Sequence, residues 1–303
     1  MTPAISVIIP YYSKFELLHR AVNSIPDIID IEVIIIDNGE VSINSNSFSS
    51  TRTNVNILYS DKLKGAGCAR NIGLENCKGK WVIFLDADDF FTEGAFDTFR
   101  SFNNTNYDII YFNTTSCYSD TLEASERHLQ YVKYIDDFIL NPNNEDNLRY
   151  CWKSPWGKMI KRKLIIDNNI QFEEISAGND ILFSVKTGYH AKEIHADTNI
   201  VYCVTIEKGS ITNRLILANI ESRCKATIRY NTFVSSIEKK ECRVSIMLVL
   251  IQALKFGIKP FGKLVIYSIK NKNNLFIGCS RWLRTLFGIL KKRGETKKYL
   301  VKE

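Results

Sequence analysis

A chain of 303 residues with 45% hydrophobic and 24% charged content can bury one large core and a smaller second unit, which excludes a disordered or fibrous polypeptide. Its net charge of +7 is concentrated at one end, where Arg281 to Glu303 carries eight Lys or Arg against two Glu. Eight cysteines without a C-x-x-C pair, four histidines without ligand spacing and no signal-like segment before the first apolar run predict reduced thiols in a cytoplasmic setting, and argue against a disulfide scaffold or a zinc site.

Taken in chain order, Ile5 to Ile9 reads as a buried strand that breaks at Pro10, after which Phe15, Leu18, Ala21, Val22 and Ile25 fall at helical spacing. A second strand in "IEVIIIDNGE" ends in Asp37 and Asn38. A third, "VNILYS", leads through a glycine-bearing turn into a helix carrying Arg70 and Asn71. In "GKWVIFLDADDF" the apolar run Trp81 to Leu85 is a strand buried on both faces, and Asp86, Asp88 and Asp89 emerge at its carboxyl end. Strands alternating with helices predict an α/β, doubly wound domain with a mixed, mostly parallel sheet. Pro10, Tyr11, Asp37, Asn38, Arg70, Asp86 and Asp88 then fall at strand ends or in the loops that follow, the edge where such sheets bind ligands. Carboxylates crowded there repel one another unless a cation lies between them, and oxygen-only ligands suit Mg²⁺ or Mn²⁺. A D-x-D standing alone is mostly an acidic turn or a helix N-cap.

Ser- and Asn-rich stretches, "SINSNSFSSTR" and "NPNNEDN", mark surface loops rather than linkers. Further on, "AGNDILFSVK" places Asp180 just ahead of a helix expected over Ile181 to Tyr189, where Asp also suits an N-cap. The run Val244 to Leu254 is too short to cross a bilayer, which takes roughly 20 residues. In the basic tail, Trp282, Leu283, Leu286, Phe287 and Leu290 share one helical face with Arg281, Arg284, Lys291 and Lys292 outside it. This is the pattern of a helix lying on an anionic membrane, or of one packed on the protein with a solvated basic face. No base-stacking pattern accompanies the charge, so nucleic acid is not expected as a partner.

The series "SVIIPYYSK", "VIIIDNGE", "GAGCARNIGL", "GKWVIFLDADDF", "SPWGKMIKRKLI" and "AGNDILFSVK", in that order, resembles the bacterial family two glycosyltransferases of GT-A fold from about residue 4 to residue 202. The resemblance implies an inverting transfer of a sugar from a nucleoside diphosphate to an acceptor hydroxyl, with Mn²⁺ or Mg²⁺ as cofactor. It implies Asp88 as metal ligand, Asp86 on the ribose or the metal's water shell, Arg70 on the diphosphate and Asp180 as general base. Asp89 orients the turn, Pro10, Tyr11, Asp37 and Asn38 lie around the nucleobase, and Trp156 and Lys158 floor the acceptor side. Asn38 departs from the aspartate common there; an amide both accepts and donates, and UDP or dTDP sugars remain compatible with it. The implied organisation is a catalytic domain over 1–210, with a nucleotide-sugar half to about 115 and an acceptor half to 210, followed by a basic helical extension over 211–303. The acceptor would be a glycan or a lipid-linked glycan of the cell surface, and the location cytoplasmic, peripheral on the inner membrane face. A nucleotidyltransferase, or a non-catalytic nucleotide-sugar-binding protein on the same fold, would share the layout.

Overall fold

The computed structural model describes residues 2–39, 42–44, 46–49, 52–60, 65–206 and 216–277. Two compact units divide the chain, 1–222 and 223–303. The amphipathic helix expected over 281–303 lies outside the described residues.

The first unit opens with β1 (Ile5–Tyr11), α1 (Phe15–Asn23), β2 (Ile31–Asp37), the short α2 (Asn46–Ser49), β3 (Val55–Tyr59), α3 (Gly65–Asn76) and β4 (Trp81–Phe84). It continues with β5 (Phe90–Phe91), α4 (Ala95–Ser101), β6 (Ile109–Tyr118), α5 (Leu129–Leu140), β7 (Lys158–Lys161), α6 (Arg162–Asp167), α7 (Ile181–His190) and β8 (Ile194–Ile206). All eight strands form one sheet in the order β3-β2-β1-β4-β7-β6-β8-β5. Strands β3, β2, β1 and β4 run parallel, β6 and β8 run parallel, and β7 and β5 are antiparallel to their neighbours. This is the α/β, mixed and largely parallel sheet expected. The apolar runs of β1, β2 and β4 are buried throughout because helices cover both faces.

One boundary differs from expectation. Strand β1 runs through Pro10 to Tyr11 instead of breaking before it. Pairing of β1 with β4 stops at Ile8↔Phe84, so the N–H that proline lacks has no ladder partner to lose on that side.

Helix α3 lies so close to the sheet that a Cβ on Gly73 would come within 2.5 Å of Ile8 Cγ2 and 2.9 Å of Ile36 Cδ1. Across β4, Phe84 packs edge-on against Phe172 and Phe183, whose rings stack 3.8 Å apart. Asn71 on α3 grips the same loop from the other side, donating to Phe172 O at 3.0 Å and accepting from its N–H at 2.9 Å. These contacts hold the segment between α6 and α7 over the carboxyl end of β4.

Helix α8 (Leu217–Ser236) starts in the first unit and ends in the second, which adds α9 (Met247–Leu254) and α10 (Ile258–Lys270). Buried Asn231 organises this second unit. Its Nδ2 donates to Val244 O and Asn273 Oδ1, both at 2.9 Å, and its Oδ1 accepts from the Val244 N–H. No helix among the described residues is long and apolar enough to cross a membrane.

Candidate active site

Beyond β4 the chain turns sharply, Asp89 N–H donating to Asp86 O at 3.0 Å. The three acids of the turn face different surroundings. Asp89 is buried and fully used: Tyr202 O–H donates to Oδ2 and Thr205 N–H to Oδ1, each at 2.7 Å. Burial, followed by the charges of Asp88 and Asp86, pushes its carboxyl well above the usual range. Rather than simply orienting the turn locally, Asp89 ties it to β8. The backbone of Asp88 is also pinned, its carbonyl accepting from Arg20 Nη2 at 2.7 Å and Thr205 Oγ1 at 2.8 Å. Asp86 N–H donates to Tyr202 Oη at 3.1 Å. With the main chain fixed, the side chains of Asp86 and Asp88 stand half-exposed at the carboxyl edge.

Arg70 links this turn to the segment before α7. Its Nη2 donates to Asp86 Oδ1 at 2.6 Å and its Nη1 to Asn179 Oδ1 at 2.9 Å, while the guanidinium carbon lies 5.4 Å from the centre of the Phe172 ring. At 6% exposure it is not the solvated helix arginine that the sequence alone allowed. Each terminal nitrogen carries a second N–H beyond the bond it makes to Asp86 or Asn179, and the buried Nε has no hydrogen-bond partner. The close approach needs Gly67, where a Cβ would fall 2.1 Å from Glu173 O and 3.1 Å from Asn179 Cβ.

Asp180 follows Asn179 at the N-cap position of α7, yet its side chain makes no capping hydrogen bond. Burial raises its carboxyl above the ordinary value, the charge of Asp86 adds to the rise, and Arg70 and Lys158 oppose it. The structure thus brings a half-buried carboxylate into the electrostatic range of both Asp86 and the arginine that holds it.

Lys158 is itself buried on β7. It donates from Nζ to Trp152 O at 2.8 Å and lies over the rings of Tyr111 and Trp152. Burial lowers its ammonium well below the usual value, partly offset by Asp180. Trp156 stacks on Tyr202 at 5.5 Å and meets Tyr131 edge-on. Both expected floor residues therefore belong to one aromatic bed.

At the ends of β1 and β2, Asp37 is turned inward, accepting from Gly39 N–H at 2.9 Å and Ile43 N–H at 2.6 Å. It thereby holds the loop that follows β2. Asn38 is buried, its N–H donating to Tyr11 O at 2.8 Å and its Oδ1 accepting from Ser60 Oγ at 3.0 Å. Tyr11 packs into the core, where burial and the Asp37 charge raise its phenol. The aromatic ring open at this position is that of Tyr12, 44% exposed, with Pro10 half-buried on β1. Arg20, Tyr202 and Thr205, which fix the acidic turn, escaped sequence reasoning because their partners lie 68 or more positions away and no local pattern marks them.

Two half-exposed carboxylates on a pinned turn are a suitable oxygen donor set for a hard divalent ion. Among the described residues, no third Asp, Glu, His or Cys joins them within 4.8 Å, so such an ion would complete its shell from phosphate oxygens and water. A cavity of about 770 Å³ opens at the opposite, amino edge of the sheet, near Lys80, Lys161 and Arg162. It contains neither the acidic turn nor Asp180.

Residues 6–167 match the model of glycosyl transferase family 2. The chain belongs to that family. Among curated family relatives, an uncharacterized glycosyltransferase of Mycoplasma genitalium is 31% identical over 142 residues, 43% of this chain and 48% of that protein. The poly(ribitol-phosphate) beta-N-acetylglucosaminyltransferase TarP of Staphylococcus aureus is 24% identical over 220 residues, 70% of this chain and 65% of that one. This family 2 chain thus spans about half to two-thirds of the length of these relatives. The crystal structure of S. aureus TarS 1-349 in complex with UDP-GlcNAc superposes with a TM-score of 0.62 at 17% identity, covering 83% of this chain and 73% of that one. The shared fold is GT-A.

Proposed function

We propose that this family 2 chain transfers a sugar from a nucleoside diphosphate sugar, UDP- or dTDP-linked, to a hydroxyl of a glycan or lipid-linked acceptor in cell-surface synthesis. The observation that carries this reading is the bridge by which Arg70 ties Asp86 of the acidic turn to Asn179, next to Asp180. Donor-binding and base functions thereby share one rigid connection between β4 and α7.

A divalent ion held by Asp88 and Asp86 would neutralise charge growing on the departing diphosphate. The chain's own residues do the rest. Asp89, Tyr202, Thr205 and Arg20 keep the turn immobile, so that Asp86 and Asp88 need little reorganisation on binding. Tyr12 and Pro10 border the nucleobase, and Asn38, steadied by Ser60, offers its amide to the base edge. Asp180, unengaged as a cap, accepts the proton of the attacking hydroxyl as the glycosidic bond breaks. Its raised affinity for protons makes it a better base than an exposed aspartate. Attack from the face opposite the diphosphate inverts the anomeric centre. We place the reaction on the cytoplasmic side of the membrane, with the basic segment 281–303 as a peripheral contact.

UDP-GlcNAc, the sugar nucleotide in the TarS complex, is the first donor to test. Nucleotide sugars would be assayed with Mn²⁺ for release of nucleoside diphosphate. Release from at least one donor supports the reading. Pyrophosphate released from a nucleoside triphosphate and a sugar 1-phosphate, with no nucleotide sugar turned over, would indicate a nucleotidyltransferase, and no turnover in either assay would indicate a binding protein.

A further inference from the structure

Helices on the surface of a water-soluble unit normally turn charged or polar faces outward. Helices α9 and α10 do otherwise. On α9, Leu248, Ile251 and Leu254 are exposed at spacings of three residues. On α10, Leu264 and Ser268 face inward, whereas Ile258 (81% exposed), Ile266 and Ile269 (62% exposed) face out. A groove of about 520 Å³ runs along this outer face, bordered by Ile258, Ile266, Lys259, Lys263 and Lys270. Gly262 leaves it open, since a Cβ there would meet nothing within 4 Å.

Charge identifies the occupant. Between Glu241 and Glu295 the sequence contains no acidic residue, while Arg243, Lys255, Lys259, Lys263, Lys270 and Lys272 all fall between Glu241 and Ile277. A protein partner that buried this face would need acidic groups spaced to meet every lysine. A bilayer bearing anionic headgroups supplies them without fixed spacing, and its acyl boundary accepts the isoleucines between them. We infer that the outer face of α9 and α10 is a membrane-docking surface for anionic phospholipid, separate from and additional to the basic tail. The aliphatic stems of Lys259 and Lys270 would lie along the apolar face with their ammonium groups among the phosphates. This inference concerns the second unit alone and does not depend on the donor or on catalysis.

The test uses the full chain in flotation with vesicles of phosphatidylglycerol mixed with phosphatidylcholine, and with phosphatidylcholine alone. The variant carries Ile258→Asp, Ile269→Asp, Lys259→Gln and Lys270→Gln, all at exposed positions, and thermal unfolding verifies that it folds. Wild type should float with the anionic vesicles and detach in high salt, and the variant's partitioning should fall by about a hundredfold, since each basic residue at such a surface contributes a factor of several. A second full-length variant, Trp282→Asp with Leu286→Asp, disturbs the tail and should retain measurable anionic binding. Three results would overturn the inference. The α10 variant could bind as wild type does, the tail variant alone could abolish binding, or wild type could ignore vesicles and instead form dimers that the α10 substitutions dissolve.

Discussion

Arg70 offers the sharpest perturbation, because its two terminal nitrogens serve two partners: Asp86 at 2.6 Å and Asn179 at 2.9 Å. Arg70→Lys keeps a positive charge but has no fork, so one ammonium cannot span both. Loss of one charge-assisted bond in a partly buried pair costs about 1.5–3 kcal/mol. The lower part of that range applies, since the Asp86 side chain remains 31% exposed and water replaces part of what is lost. For a unit of this size each kcal/mol lowers the melting temperature by about 2–4 °C. Catalysis should suffer more than stability. The turn and the base would no longer share one anchor, and displacement of a reacting group by about 1 Å costs on the order of 10²-fold in rate. Arg70→Met goes further by removing the charge that lowers the Asp180 carboxyl. The base would then hold its proton to higher pH, and the acid limb of kcat should move upward in Arg70→Met but stay near its wild-type position in Arg70→Lys. Turnover against pH for the two variants, on whichever donor the wild type uses, checks both statements. Wild-type turnover in Arg70→Lys would refute the idea that this bridge aligns the site, and identical acid limbs would refute the electrostatic link to Asp180.

Further expectations follow from neighbouring contacts. Asp88→Ala should abolish turnover and weaken Mn²⁺-dependent binding of UDP, measured by calorimetry, without lowering the melting temperature; full activity of this variant in EDTA would remove the metal from the account. Gly67→Ala drives a methyl group toward Glu173 O, 2.1 Å from the ideal Cβ position, and overpacking of this kind costs about 1–3 kcal/mol; both the melting temperature and kcat should fall, and an unchanged melt would show that the 171–180 segment yields freely. Tyr202→Phe removes the O–H that bonds Asp89 Oδ2 and leaves a buried carboxylate oxygen short of a donor, so stability should fall by about 1–3 kcal/mol, read by denaturant titration.

The parallel half of the sheet is legible in the sequence because its strands are buried on both faces and therefore read as unbroken runs such as "VIIIDN" and "WVIFLD". Pro10 misled the boundary of β1, because whether a missing N–H matters depends on where the neighbouring strand stops. The acidic cluster at the end of β4 was legible too, since carboxylates stacked after an apolar run are locally unusual. Their differing duties were not. Nothing near Asp89 announces that Tyr202 and Thr205 will bury it, and nothing near Arg70 announces Asn179, 109 positions away. Asp180 shows the same limit from the other side: N-cap and base were both consistent with "GND", and only the geometry shows that no capping bond forms.

The central claim is that Asp180 serves as the base for sugar transfer, and Asp180→Asn tests it most directly when donor affinity, turnover and stability are measured on the same preparation. Burial raises the Asp180 carboxyl in the folded state. Its contribution to stability is therefore fully present below the unfolded-state value, about 3.9, and is lost as pH rises through the folded-state value. At neutral pH the ionised group opposes folding, so the neutral amide should melt at the same temperature or higher. Donor binding should persist while turnover falls by roughly 10² or more. Unchanged turnover in Asp180→Asn would contradict the assignment and leave this carboxylate without a catalytic role.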